Sequence, residues 1–289
     1  MSEATPLSSL GYGALPAVAC TADRRFCFWS YVPRAAFDGG RRPPVLVAVH
    51  GSDRRAESLR DQFAPLAERA GAVVVAPLFP LGADDGDRDD GYKYPGVGNA
   101  RHDRVLLAML DDLQRRYPVA CDRIVLFGFS GGAHFAHRFM FLHPERVRSV
   151  SICAPGSVTL PGHPQPWWVG TGDYEARFGR PFPIDALRRV SVHLAVGEDD
   201  LSTGLITHTP QSPTWMPGAN AAGRTRVDRL HALREALREL GFDPHFETLP
   251  GVGHDERAHV INASRFLEPF LDGADAVPSD PPSCTGPTQ

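Results

Sequence analysis

The stretch Val125-Leu126-Phe127-Gly128-Phe129-Ser130-Gly131-Gly132-Ala133 sets a serine between an apolar run and a helical pattern, inside the spacing G-x-S-x-G. The physical reading of that spacing is a sharp strand-to-helix turn. A residue at such a turn holds a strained backbone conformation, so its neighbours two positions away must be small. The turn exposes the Ser130 hydroxyl beyond the strand end, and the N-terminus of the following helix favours negative charge developing beside it. Ser130 is the candidate nucleophile, and the stretch predicts a strand that runs directly into a helix.

Further apolar runs rich in valine and isoleucine occur at Pro44–His50, Ala72–Pro77, Arg148–Ala154 and Val190–Gly197. Near-continuous runs of this length suit strands buried on both faces. Helical patterns lie between and around them at Ala56–Ala70, Asp103–Arg116, Gly132–His143 and Arg226–Leu240. In the last, Val227, Leu230, Leu233, Leu237 and Leu240 form one apolar stripe, and Gly241 is placed to end the helix. The alternation predicts an α/β fold: a doubly wound, mostly parallel sheet with helices on both faces and right-handed crossovers. Three segments break the rhythm: 81–98 is rich in aspartate, glycine and tyrosine, while 156–184 and 202–223 carry prolines and the tryptophans Trp167, Trp168 and Trp215. The latter two read as lid-like inserts or pocket walls, and the three tryptophans as candidate substrate-binding residues, with packing of the inserts onto the domain as the alternative. The tail 272–289 has little to bury and is expected to be disordered.

A serine hydroxyl needs a base to take its proton. His254 follows a short strand-like run, Phe246–Leu249, in a glycine-flanked loop before a terminal helix, where such a base can be presented. An acid should follow the preceding strand, and Glu198-Asp199-Asp200 offers three carboxylates there. Asp200 is favoured, with Asp199 and then Glu198 as alternatives. Donors for an oxyanion would be the N–H of Gly131 and that of Ser52, with Gly51 or Asp53 as neighbours of the second. His50 reads as a packing residue. Residues 130, 200 and 254 must meet in one site, so a single domain over 1–271 is expected.

Composition narrows the function classes. The formal charge is −4, which argues against a nucleic-acid partner. No apolar stretch approaches the 18 or so residues of a membrane span, and residues 1–20 lack the pattern of a secretory signal, so a cytoplasmic location is expected. The five cysteines, Cys20, Cys27, Cys121, Cys153 and Cys284, have no paired metal spacing and read as reduced thiols, although Cys20 and Cys27 could meet across a hairpin. The aspartate run Asp84–Gly91 fails the calcium-loop pattern, since the positions that need glycine and glutamate hold Asp90 and Gly96. His134 and His137 share a helix face without a third ligand. Arg54 and Arg55, just after the oxyanion loop, read as surface ion pairs, with grip on an anionic substrate as the alternative. No metal is expected.

Together, His50-Gly51, Gly128 to Gly132, Gly197 to Asp200 and Gly253-His254 resemble the α/β-hydrolase superfamily across Pro44–Leu271. Within it, Asp111-Asp112, Tyr117, Asp122-Arg123 and Ile124–Phe127 resemble the esterases related to polyhydroxybutyrate depolymerases and feruloyl esterases. The resemblance implies a cofactor-independent serine hydrolase acting on a small-molecule carboxylic ester through a Ser130–Asp200–His254 triad. An amidase or peptidase of the same fold is the alternative, and a non-catalytic binding protein a more distant one.

Overall fold

The computed structural model describes residues 11–83, 90–98 and 100–271. Most of the aspartate run, the tail 272–289 and Cys284 lie outside the described residues. Eight strands form one sheet: β1 (Gly13–Ala19), β2 (Cys27–Val32), β3 (Pro44–Val49), β4 (Val73–Leu78), β5 (Ala120–Phe129), β6 (Val147–Cys153), β7 (Ser191–Gly197) and β8 (His245–Leu249). Their order is β1-β2-β4-β3-β5-β6-β7-β8. The pairs β1–β2 and β2–β4 are antiparallel, and all the others are parallel. All six residues of β3 are buried, as are the last six of β5. That is the burial expected of strands covered on both faces.

The helices are α1 (Ala56–Ala70), α2 (His102–Arg116), α3 (Gly131–Leu142), the short α4 (Tyr174–Phe178) and α5 (Ile184–Leu187), α6 (Arg226–Glu239) and α7 (Glu256–Leu267). The chain steps one way along the sheet from β3 to β4, then the other way from β4 through β5 to β8. With right-handed crossovers the two directions place their helices on opposite faces. Accordingly α1 and α7 pack together on one face, and α3 packs on β5 and β6 from the other. The reversal leaves a crevice beyond the carboxyl ends of β3 and β5, where open α/β sheets bind ligands.

The helix ends follow from local chemistry. Thr225 caps α6 in a reciprocal capping box with Asp228, and Gly241 follows the helix with φ +82°. The stripe Leu230, Leu233 and Leu237 is buried beneath it. Asp255 caps α7 by accepting from the Ala258 N–H at 3.0 Å. The β1–β2 hairpin is an addition to the elements expected from sequence. Its β1 carries Pro16, has a register shift between Leu15 and Val18, and alternates weakly between half-buried and exposed positions. Edge strands tolerate proline for want of a second neighbour to bond. Cys20, Cys27, Cys121 and Cys153 are free thiols, with Ala19 rather than Cys20 opposite Cys27. Among the described residues no helix is long and apolar enough to cross a membrane.

Candidate active site

β5 ends at Phe129, and α3 begins at Gly131, which leaves Ser130 alone on the turn with φ 53° and ψ −116°. A positive φ is costly for a serine and persists where the surroundings hold it. The flanking glycines show what holds it. A Cβ on Gly128 would overlap the Gly132 carbonyl, and one on Gly132 would overlap the carbonyl oxygen of Val49 in β3. The first turn of α3 and the end of β3 can therefore close on the Ser130 turn only if both positions lack a side chain.

The loops after β7 and β8 meet by a similar device. A Cβ on Gly197 would overlap the carbonyl oxygens of Val252 and Gly253. Backbone bonds from Glu198 N–H to Leu249 O (3.0 Å) and from Asp199 N–H to Val252 O (2.9 Å) then lock the two loops together. In that arrangement Glu198 and Asp199 are exposed while Asp200 turns inward and is 2% exposed. The Asp200 Oδ2 lies 2.6 Å from His254 Nδ1, and His254 Nε2 lies 3.0 Å from Ser130 Oγ. The Phe129 ring stacks on His254 at 4.6 Å and fixes the plane of the imidazole.

Asp200 has a second partner that its sequence neighbourhood does not reveal. Arg226, buried at the start of α6, donates from Nη1 to Oδ1 at 2.9 Å. Burial alone would raise the Asp200 pKa. The His254 hydrogen bond, with the charges of His254 and Arg226, outweighs that and holds the carboxyl below its ordinary range. A carboxylate held ionised beside an imidazole can orient the ring and stabilise its protonated form.

The cavity over Ser130 has a volume of about 310 Å3. Its rim on the β3 side is Gly51, Ser52 and Asp53, and Ser130 and Gly131 form its floor. No hydrogen-bond partner takes the backbone N–H of Ser52 or Gly131 among the described residues. His50 does not enter the cavity. Its Nδ1–H donates to Gly51 O at 2.7 Å and its Nε2 accepts from the Phe79 N–H at 3.1 Å, which ties the ends of β3 and β4 together. Burial pushes its pKa down to about 4, so it stays neutral. Arg55 pairs with exposed Asp53 at 2.5 Å, and Arg54 donates to the carbonyls of Phe79 and Ser52.

The tryptophans expected as substrate-binding residues are elsewhere. Trp167 and Trp168 are each 2% exposed, with their indole N–H groups donating to Pro95 O (2.9 Å) and Thr214 O (3.0 Å). Trp215 is 43% exposed and also lies outside the cavity lining. The reason is the polar shelf under the first insert. Arg138 Nε donates to Thr159 Oγ1 at 2.9 Å, and its guanidinium lies 5.3 Å from the Trp168 ring. The ring is thereby drawn into the hydrophobic core. His134 and His137 belong to the same shelf. His134 Nε2 accepts from the Ser157 N–H, His137 Nε2 accepts from the Thr159 N–H, and their Nδ1 atoms are also hydrogen-bonded. Neither ring has a free nitrogen for a metal.

Several lining residues are not apparent from the sequence. Lys93, the only lysine in the chain, borders the cavity with its ammonium on Asp90 at 2.6 Å. Glu256 borders it two residues after His254, its pKa raised by burial. Leu205 and Ile206 supply an apolar side. Only Glu256 had an available signal, its closeness to His254 at the head of a helix.

The fold has many solved counterparts. Poly(3-hydroxybutyrate) depolymerase from Bordetella parapertussis is 24% identical, with a TM-score of 0.67 over 93% of this chain and 92% of that one. Poly(aspartic acid) hydrolase-1 from Sphingomonas sp. KT-1 is 19% identical, with a TM-score of 0.67 over 89% and 99%. S-formylglutathione hydrolase from Agrobacterium tumefaciens is 16% identical, with a TM-score of 0.57 over 91% and 95%. At these identities the likeness concerns the fold. No curated protein matches the sequence. The family "Putative esterase" matches residues 21–233, a span that holds Ser130, Asp200 and the oxyanion candidates and stops short of His254. Over that span, which is most of its length, the chain belongs to this family of α/β-hydrolase esterases, and it is a carboxylic-ester hydrolase.

Proposed function

We propose that the chain cleaves a small-molecule carboxylic ester in two steps through an acyl-enzyme on Ser130. His254 Nε2 takes the Ser130 hydroxyl proton as Oγ attacks the ester carbonyl, and it returns that proton to the leaving alcohol. Asp200 keeps the imidazole in the tautomer with its proton on Nδ1 and stabilises the imidazolium without taking the proton. The N–H groups of Ser52 and Gly131 receive the oxyanion, where preorganised donors act on charge that exists only in the transition state. Water, activated by the same histidine, then releases the acid and restores Ser130.

The observation that carries this reading is the hydrogen-bonded chain Ser130 Oγ–His254–Asp200, at 3.0 and 2.6 Å, on a strained turn beneath the cavity. Ser130→Ala is expected to lower kcat for short-chain p-nitrophenyl esters by at least about 10^4-fold. A fluorophosphonate should label Ser130 in the folded protein. An unchanged rate, or a folded protein that resists labelling, overturns the proposal. Asp200→Asn should cost about 10^3- to 10^4-fold in kcat, while Asp199→Asn stays within about twofold as an exposed group. The reverse ranking would move the acid to Asp199. Parallel assays on p-nitrophenyl esters and matching p-nitroanilides test the bond, and faster anilide cleavage would make the chain an amidase.

A further inference from the structure

We propose that His193, His245 and Glu247 form a binding site for a transition-metal dication of the zinc class at the seam between β7 and β8. The parallel register makes His193 and His245 direct neighbours across the two strands. Glu247 lies two residues beyond His245, so the period of the strand returns it to the same face. Their ligand atoms all fall within 4.8 Å of one another. Glu247 Oε2 is 3.6 Å from His193 Nε2, and Glu247 Oε1 is 2.9 Å from His245 Nε2. A tetrahedral ion with bonds of about 2.0–2.2 Å holds its ligand atoms about 3.3 Å apart. The two measured separations bracket that value, and the third, between the two imidazoles, is within 4.8 Å, so the exposed His245 side chain is the one that would close on the ion.

A second observation concerns the ring nitrogens: the buried His259 also has an unpartnered Nε2, but among the described residues it is at His193 that a second imidazole and a carboxylate come within reach. His193 is fully buried, and its Nε2 has no hydrogen-bond partner. Its Nδ1 is 2.8 Å from Ser151 Oγ on β6. When the Nδ1 proton is given to that hydroxyl, the lone pair of Nε2 faces His245 and Glu247. His50, His134 and His137 instead have both ring nitrogens hydrogen-bonded. The surroundings also hold the would-be ligands in place, as outer partners do around metals. Asn262 Nδ2 donates to Glu247 Oε2. The Phe266 ring stacks against both imidazoles, at 4.8 Å from His193 and 5.7 Å from His245.

Two imidazoles and one carboxylate suit zinc better than calcium or magnesium, which take oxygen ligands. His245 and Glu247 have side chains 55% and 37% exposed, which leaves an entry path and a fourth position for water. Occupancy would join the edge strand β8 to β7 and, through Asn262 and Phe266, to α7.

The test is a Co2+ titration of the full chain after treatment with a chelator and desalting. The expected result is growth of the visible bands of tetrahedral cobalt to one equivalent per chain, bleached by Zn2+. His245→Ala and Glu247→Gln change partly exposed positions and should keep the far-ultraviolet circular dichroism of the parent. Each should weaken cobalt binding by at least about tenfold, while His231→Ala on the exposed side of α6 binds as the parent does. Absence of tetrahedral bands in the parent overturns the site. So does equal binding by the parent and His245→Ala.

Discussion

The two inserts share prolines and tryptophans and differ in how they meet the rest of the molecule. The first, 156–184, is built like a core: Trp167, Trp168 and Tyr174 are at most 2% exposed, and Thr159 is held from below by His137 and Arg138. It gives the cavity Gly156 alone. The second, 202–223, leaves Leu205 94% and Trp215 43% exposed, yet it supplies Leu205 and Ile206 to the cavity. Its anchor is buried Arg229, which donates to Gly156 O, to Ile206 O (2.7 Å), to Gly223 O (3.0 Å) and to Asn220 Oδ1 (3.1 Å). Large aromatic side chains mark surface that is costly to leave in water, and they need not mark surface that meets a substrate. Here they build the foundation, and a thinner, aliphatic segment forms the wall.

The sharpest way to break this contrast is to remove one indole from each insert. Trp168→Ala should lose about 3–5 kcal/mol of unfolding free energy, since the ring packs against Tyr94, His208 and Arg138 and its N–H holds Thr214. Trp215→Ala should stay within about 1 kcal/mol of the parent. Urea unfolding measures both, and equal losses would mean that the second insert is as firmly founded as the first.

The same contrast explains what could be read from the sequence. The central strands were legible because burial on both faces writes itself as an unbroken run, as in Val45–Val49. The turn at Ser130 was legible because Gly128 and Gly132 are demanded locally by close backbone approach. The edge strand β1 was not, because Pro16 and its half-exposed positions give no period to find. Arg226 on Asp200 and Arg138 under Trp168 were not, because each is a contact between segments far apart in sequence. A tryptophan in the sequence marks area that is costly to leave in water, and nothing in the residue type says which way an indole faces.

A smaller effect tests how the second insert is seated. Burial, then the charge of Arg138, pushes the pKa values of His134 and His137 well below the ordinary imidazole range. His208, against Trp168, is pushed down to about 4, first by burial and then by the charges of Arg229 and Arg138. In the unfolded chain each would titrate near about 6.5. Their folded pKa values lie lower, so the unfolded state binds more protons between these limits. This contribution to stability is complete above about pH 6.5 and is lost as pH falls toward 4, at up to about 1.4 kcal/mol per pH unit for each proton. His208→Asn should remove up to one proton from that slope in unfolding free energy measured against pH. An unchanged slope would show that the second insert leaves His208 to titrate as in water.

The smallest expected effect belongs to the most exposed residue. Leu205 forms the outer part of the cavity wall and packs little against the protein, so Leu205→Ser should change the melting temperature hardly at all. Its side chain can bury apolar area only when a substrate reaches it, and each buried methylene is worth about 0.8 kcal/mol. KM should therefore rise by roughly three- to tenfold for esters whose acyl chains extend to the mouth. For acetyl esters, which react at Ser130 without touching that wall, both kcat and KM should hold. A uniform rise for short and long esters would mean that Leu205 acts through the position of Ile206 and Arg229 rather than by contact, and the second insert would then be a second foundation instead of a wall.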